Sequence, residues 1–450
     1  MDDLAQQAIE VLRTNDRGSW TRPSPRLYPH QWSWDAGFVA MGWAQLDPQR
    51  AVAELASLFR GQWDTGMVPQ IVFDLNVARG AYEPNPNAWC TAAHAPAGAA
   101  TSGICQPPIH SIALARVREV AAGRSGAELA VVDEAVTDLY PRLARWHDWL
   151  HTVRDPDGTG LVTILHPWES GLDNSPRWDA PLGAVPVDDL TGAADDDGTP
   201  ATDRPDLAYV ADPAERPTDR DYRRYGYLVD RLIEVDYDQA AAMASHPFRV
   251  ADVWVSAILA AADDDLAGLA VVAGRPEEAD RHRSAASLTR TALDRCWEPG
   301  LTRCLDTDRI TGQPIVSDTI AGFAPLVAGC STDRRAVLVD RLQGPSYAGA
   351  PGLAWPLPPT TAVDDPAFEP RGYWRGPQWA PMTWLLWWAL RRDGLVRAAD
   401  RLRSTAIAQL RATGCCEYVE PLTGEPLGCD SQSWTAAVAL DWLAAAAVNE

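Results

Sequence analysis

The sequence predicts an all-α protein, a toroid of six helical hairpins joined by long loops. Three observations predict it. Apolar residues recur at the 3.6-residue spacing of a helix face along nearly the whole chain, while the alternating pattern of a strand is scarce. That periodicity divides the 450 residues into twelve helical segments, enough for six antiparallel pairs. No linker of domain-separating character interrupts them, so residues 1–450 read as one domain. No residue-level repeat at a fixed period occurs, so the repetition is one of pattern.

Taken in order, the first helix is expected over 3–13. The second, over 36–62, stops at Gly61, and the third, over 104–122, stops before Gly123, since glycine just past the last periodic residue ends a helix. Segments over 126–151, 222–244, 249–273 and 276–296 follow. The next two, 317–329 and 332–342, are the weakest pair, because Pro325 interrupts one and the other is short. Residues 373–392 carry Trp384, Trp387 and Trp388 on an apolar helix, where they read as core, and 395–412 and 432–447 complete the set. The connections 63–103, 152–221, 297–316, 343–372 and 413–431 are rich in Pro, Gly, Trp and carboxylates. Loops this long in a compact protein are functional or disordered, and their aromatic content argues against disorder. Those near 63–103, 152–221 and 343–372 read as insertions, and the acidic Asp188–Arg204 stretch reads as a mobile flap.

Composition excludes whole classes of chemistry. The chain has 39 Lys+Arg against 61 Asp+Glu, a formal net charge of -22, and contains no lysine, so every one of those cations is arginine. A Schiff-base or pyridoxal lysine, a P-loop lysine and a kinase strand lysine are therefore all excluded. The negative charge argues against nucleic acid, which needs a positive surface. No apolar run approaches the ~20 residues of a membrane span; Thr383–Leu390 is among the longest. The opening Met1-Asp2-Asp3-Leu4 lacks the basic and apolar regions of a signal peptide, so a cytoplasmic location is expected. Eight cysteines in such a chain read as reduced thiols. Without CxxC or HExxH no metal is expected, and without GxGxxG or GxSxG dinucleotide binding and serine hydrolysis are weakened. No cofactor is implied.

Twenty tryptophans against six phenylalanines point instead to a site with indole walls. Four segments set tryptophan or tyrosine beside carboxylates: Gln31–Phe38, His166–Asp179, Arg371–Trp379, and Glu417–Glu425 leading into Gln432-Ser433-Trp434. Sugar C–H faces stack on indole, while hydroxyls need polar partners at the edges. Apolar walls also raise the pKa of a carboxyl meant to act as an acid. Glycoside hydrolysis asks for two carboxyl groups in opposite protonation states. Loop context narrows the field to Asp35, Glu169, Asp173, Asp179, Glu417, Glu420 and Glu425.

At these motifs the sequence resembles glycoside hydrolase family 63, in particular the bacterial glucosylglycerate and mannosylglycerate hydrolases. The matching segments are WSWDAGF (32–38), HPWESGLDNSPRWD (166–179), ERPTDRDYRRY (215–225), YWRGPQW (373–379), EYVEPLTGEPLG (417–428) and SQSWTAA (431–437), in family order. The resemblance implies an (α/α)6 barrel, in agreement with six hairpins, and an inverting α-glycosidase. It implies Asp173 as general acid and Glu417 as general base, with Glu169 and Glu425 as alternatives. Room for a water between them requires a separation of about 6.5–9.5 Å.

The same resemblance places Trp34, Asp35, Trp168, Tyr373, Trp374 and Gln432 around a glucosyl or mannosyl ring, and Tyr28, Tyr82, Gln106, Trp379 and Arg216 nearer the aglycone. A guanidinium there suits a glycerate carboxylate, which it can hold bidentately; a solvated loop charge is the other reading of Arg216. Departures at Pro84-Asn85-Pro86-Asn87, Cys415-Cys416 and the Asp-rich 180–214 loop leave the aglycone open. The competing functions are a trehalase-like or oligosaccharide α-glucosidase and a non-catalytic sugar-binding protein. The expected partner is a small-molecule glycoside, and the large apolar helices leave room for a homo-oligomer.

Overall fold

The computed structural model describes residues 2–78, 80–187, 204–210 and 212–447. The flap expected at Asp188–Arg204 lies, but for Arg204 itself, outside the described residues. The protein is mostly helical, with fifteen α-helices and ten strands of two or three residues among the described residues.

Helix α1 (Asp3–Asn15) is capped by Asp2, whose carboxylate accepts from the amide of Leu4. The stretch expected over 36–62 is two helices, α2 (Ser33–Ala44) and α3 (Pro48–Phe59). Proline breaks a helix interior but suits a first turn, so Pro48 starts α3, capped by Asp47 through the amides of Gln49 and Arg50. Helix α4 (His110–Arg124) starts after Pro107 and Pro108 rather than at 104, and α5 (Gly126–Val153) is capped by Ser125. A single turn, α6 (Asp179–Gly183), comes next.

The stretch expected over 222–244 divides into α7 (Asp219–Glu234) and α8 (Gln239–Ser245), because Asp236 and Tyr237 take φ values of 49° and 55°. Such left-handed residues cannot continue a right-handed helix. Helix α9 (Val253–Val272) starts at an Asp252 cap, and α10 (Ala279–Arg295) follows. The Pro325 segment shrinks to α11 (Ala324–Ala328), beside α12 (Thr332–Leu342). Helix α13 spans Ala380–Arg392. Residues 373–379 are loop rather than its first turns, since Tyr373 has φ 60°. Helices α14 (Val396–Thr413) and α15 (Ser433–Ala447) end the fold.

Helix packing closes on itself. α2 packs on α4, α4 on α9, α9 on α11, α11 on α13, α13 on α15, and α15 returns to α2. Around these, α3 and α5 lie against α4, α10 against α9, α12 against α11, α14 against α13 and α1 against α15. Burial follows the same division: every residue of α2 is buried, whereas α7 and α12 bury a single stripe. A helix apolar all round must be covered all round. Trp384 and Trp387 are core, as expected, and Trp388 packs partly buried against them. Each fully buried side chain of Leu or Ile size contributes about 1.5–3 kcal/mol before entropy is counted.

The strands are staples for the long loops. β1 (Gln31–Trp32) pairs antiparallel with β2 (Ile71–Val72) and leads directly into α2. β3 (Thr163–Ile164), β4 (Val250–Ala251), β7 (Asp306–Asp308) and β8 (Pro314–Ile315) form a four-stranded sheet that carries the 166–179 loop. β5 (Trp297–Glu298) pairs with β6 (Arg303–Cys304), and β9 (Tyr418–Val419) with β10 (Pro426–Leu427). No helix among the described residues is long and apolar enough to cross a membrane.

Candidate active site

Asp173 stands on a loop that is fastened at both ends. On the β3 side, Glu169 is fully buried against Arg154, with Nη2–Oε1 at 2.6 Å and Nη1–Oε2 at 2.7 Å. The amides of Leu165 (2.6 Å) and Cys105 (3.3 Å) also donate to it. Burial pushes the Glu169 carboxyl up, but Arg154 and the Leu165 and Cys105 amides together outweigh it and hold the group below the usual range. On the far side, buried Arg177 lies 3.0 Å from both oxygens of Asp306 and 3.3 Å from Asp252. Both carboxylates gather at the amino end of α9, where Asp306 accepts from Val253 N and Asp252 from Trp254 N. The loop is thus pinned by two arginines, and Glu169 is part of the pinning.

Between these anchors, Gly171 takes φ 71° and leaves space for the Trp34 indole; a Cβ there would stand 2.5 Å from its Cζ2. Tyr225 donates to the Asp173 carbonyl oxygen at 3.1 Å. The Asn174 amide donates to Gly372 O (3.1 Å) and accepts from Trp374 N (2.9 Å), tying this loop to the aromatic one. The Asp173 carboxyl accepts from no other side chain among the described residues. Burial raises its pKa to about 7; Arg216 pulls it down and the Glu417 charge pushes it up.

Glu417 precedes β9 and is almost fully buried. Its Oε1 accepts from the Tyr28 hydroxyl (2.7 Å), and its Oε2 accepts from Arg216 Nη2 (2.9 Å) and Cys429 N (3.1 Å). Such a ring of donors suits a carboxylate anion. Tyr28 spends its proton on Glu417, so Tyr373 donates to it at 3.1 Å, and Arg216 Nη1 donates at 2.8 Å. The guanidinium lies 4.5 Å from the Tyr373 ring. Arg216 is therefore a buried ion-pair partner, not a solvated loop charge. Its Nε is buried without a hydrogen-bond acceptor among the described residues.

Asp35, in the first turn of α2, is the third carboxyl of the cluster. Burial is the main cause of its raised pKa, and the charges of Glu417 and Asp173 add to it. The other carboxyls of the sequence shortlist are engaged elsewhere: exposed Asp179 with Arg375, exposed Glu425 with Arg371, and Glu420 with the turn at Thr423. Among the described residues no group of three or more His, Cys, Asp or Glu is arranged to hold a metal ion.

Aromatic rings wall the cluster. Trp374 stacks on Trp379 at 3.7 Å, with 7° between planes, and Trp379 stacks on Tyr418 at 4.6 Å. Trp434 meets Trp34, Trp374 and Trp379 edge-on. Trp379 is 1 % exposed and its indole N–H donates to Tyr373 O, so it backs Trp374. Gln432 is likewise set behind the wall: its amide nitrogen donates to Pro23 O and its oxygen accepts from Trp434 Nε1, both at 3.2 Å. Gln106, nearly buried, accepts from Trp34 N (3.3 Å). Tyr82 edges onto Trp32 and feels the Asp173 charge, and partly exposed Trp168 packs on His166 and Tyr225.

A cavity of about 580 Å³ borders the cluster at Asn174, Ser175 and Arg216, without touching Asp173 or Glu417; Arg204, Tyr225 and Arg375 also line it. Tyr225, Asn174, His166 and Trp434 had no role in the sequence reading, although each sits inside a quoted motif. Their partners are backbone groups of other loops, which motif composition does not reveal.

The family model for the mannosylglycerate hydrolase MGH1-like glycoside hydrolase domain matches residues 28–435. The chain is 41% identical over 452 residues to the glucosylglycerate hydrolase of Mycolicibacterium hassiacum, covering 98% of this chain and 97% of that one. It is similar to the crystal structure of the family 63 mannosylglycerate hydrolase of Thermus thermophilus with Tris and D-glycerate (TM-score 0.87, 37% identity, 98% and 100% of the two chains). It is similar to the glucose complex of the same protein as well (TM-score 0.84, 37% identity, 98% and 99%).

Proposed function

The chain belongs to the MGH1-like glycoside hydrolases of family 63, and from that premise we propose that it hydrolyses glucosylglycerate or mannosylglycerate with inversion at the anomeric carbon. It is a glycosidase acting on a small-molecule glycoside. One observation carries the division of labour: two carboxyls of one cluster have opposite surroundings. Among the described residues Asp173 has no side-chain donor, and burial keeps its proton to about pH 7, whereas Glu417 is fed by Tyr28, Arg216 and Cys429.

Asp173 gives its proton to the glycosidic oxygen as the bond to the anomeric carbon breaks. Glu417 takes a proton from the water that attacks that carbon from the opposite face. The products are glycerate and a hexose of inverted configuration; Glu417 then releases the proton it took from water, and Asp173 is reprotonated from solvent. Trp34, Trp168, Tyr373 and Trp374 present ring faces to the hexose, and Asp35 accepts from its hydroxyls. Trp379 and Gln432 hold that wall from behind. Arg216 joins the base to the edge of the cavity, and its Nε, without an acceptor among the described residues, can take one. This supports a glycerate carboxylate on that side, with Tyr28, Tyr82 and Gln106 around it.

The closed succession α2, α4, α9, α11, α13, α15, with outer helices packed around it, supports an (α/α)6 barrel of one catalytic domain. A cytoplasmic location fits a small-metabolite hydrolase. The test is product analysis with glucosylglycerate and mannosylglycerate side by side, reading the anomer of the released sugar before it mutarotates. Early release of the β-anomer is expected; early α-anomer, or no hexose from either substrate, refutes the proposal.

A further inference from the structure

We infer that Gly428 is a positioning residue for the general base, acting by the absence of a side chain. The inference rests on the assignment of Glu417 given above. In the β9–β10 hairpin Leu427 faces Tyr418 and Pro426 faces Val419. Continuing that register by one step sets Gly428 opposite Glu417. Beyond the strand ends the ladder bulges: the amide of Glu417 donates to Cys429 O at 2.8 Å, one residue past Gly428, so Gly428 and Cys429 together oppose Glu417.

An ordinary pair at this point would send both side chains to the same face, where they would compete for one space. Here the Glu417 side chain occupies it, beside the ring edge of Tyr418. The carboxylate folds back over the partner strand and accepts from Cys429 N at 3.1 Å. A Cβ on residue 428 would overlap Glu417 Oε2 and stand 2.7 Å from Glu417 Cβ and 2.8 Å from Tyr418 Cε1. Gly428 also takes φ 70°, a conformation glycine adopts freely. Arg216 and Tyr28 pull the carboxylate from one side, and the 428–429 peptide sets the depth to which it sinks. A methyl group here pushes Oε2 away from Cys429 N and so moves the base relative to its water. A displacement near 1 Å is enough for a loss of about 100-fold in turnover.

The experiment compares Gly428→Ala with Glu417→Gln, Asp173→Asn and Gly274→Ala, on the natural glycoside and on the α-glycosyl fluoride of the same sugar. Fluoride departs without a proton, so it bypasses the acid and still needs the base. Gly274 has φ 74° with nothing within 4 Å of an added Cβ, so it controls for backbone strain alone. The expected result is kcat about 100-fold lower for Gly428→Ala with KM within about threefold, and no recovery on the fluoride, as for Glu417→Gln. Asp173→Asn recovers on the fluoride, and Gly274→Ala stays near wild type.

Near-normal kcat for Gly428→Ala beside an inactive Glu417→Gln overturns this inference alone. Recovery of Gly428→Ala on the fluoride overturns it too, while an active Glu417→Gln overturns the base assignment itself. If Gly428→Ala does not fold, Gly428→Asn carries the same Cβ on a residue that tolerates the left-handed backbone. If that also fails, Glu417→Gly/Gly428→Ala removes the partner of the clash. Folding of that double variant supports the inference, and its failure places the constraint elsewhere and overturns it.

Discussion

Nη2 of Arg216 donates to Oε2 of Glu417 across 2.9 Å, with both side chains almost wholly buried. The same guanidinium lowers the pKa of Asp173 against a larger effect of burial. One cation therefore acts on both carboxyls of the proposed mechanism. Arg216→Met strips Glu417 of its partner, and an uncompensated buried charge costs about 3–5 kcal/mol of stability. It also lets the Asp173 pKa rise. The expected outcome is a lower melting temperature, a kcat/KM reduced by about 100-fold or more, and an alkaline limb displaced to higher pH. A pH profile with an unmoved limb contradicts the coupling.

For the wild-type protein, activity that depends on protonated Asp173 falls as pH rises through about 7. The measurement is kcat/KM against pH, and a profile flat to pH 9 contradicts Asp173 as acid.

Stability gives an independent reading of the same proton. The folded-state pKa of Asp173 is raised above the ordinary value of 3.8. The native state therefore holds the proton more tightly than the unfolded chain. This contribution to stability is fully present below about pH 4 and is lost progressively as pH rises to about 7. Asp173→Asn, which cannot ionise, should melt several degrees above wild type at pH 8 and close to it at pH 4. Equal shifts at both pH values contradict the linkage.

Glu169 belongs to the scaffold. Glu169→Gln leaves Arg154 buried beside a neutral amide and should cost about 3–5 kcal/mol in chemical denaturation. Turnover per folded molecule at low temperature should stay within about tenfold of wild type. Inactivation as deep as that of Asp173→Asn in a stably folded Glu169→Gln would move the acid role to Glu169.

Gly171→Ala drives a methyl group into the Trp34 indole. Tilting that wall weakens sugar stacking in ground and transition states alike, so KM should rise about tenfold with less change in kcat. Steady-state kinetics check this, and an unchanged KM shows that Trp34 does not face the hexose.

Helix content, the carboxylate shortlist and the aromatic loops were legible in the sequence because period, composition and local context are short-range properties. Pro48 is a break that the long apolar run around it disguises. The left-handed Asp236 and Tyr237 carry no proline or glycine to announce them. Arg216 could be read as buried or solvated, since the residue that buries it, Glu417, lies far off in the chain. Trp379 and Gln432 sit in the right motifs, yet their backing role depends on which face of the loop they occupy. Gly428 was invisible, because a missing side chain matters only once its cross-strand neighbour is known.

The return of α15 onto α2 has a consequence for how the protein is made. The proposed acid and base lie on either side of more than half of the chain, and the ring of inner helices closes only when its last member arrives. During synthesis α2, buried on every side in the folded protein, waits for a partner that lies far down the chain. Until then the nascent chain has hydrophobic surface to hide and no competent site. Catalytic power should switch on as a single late event, and chains cut short before α15 should be ready clients for chaperones and proteases.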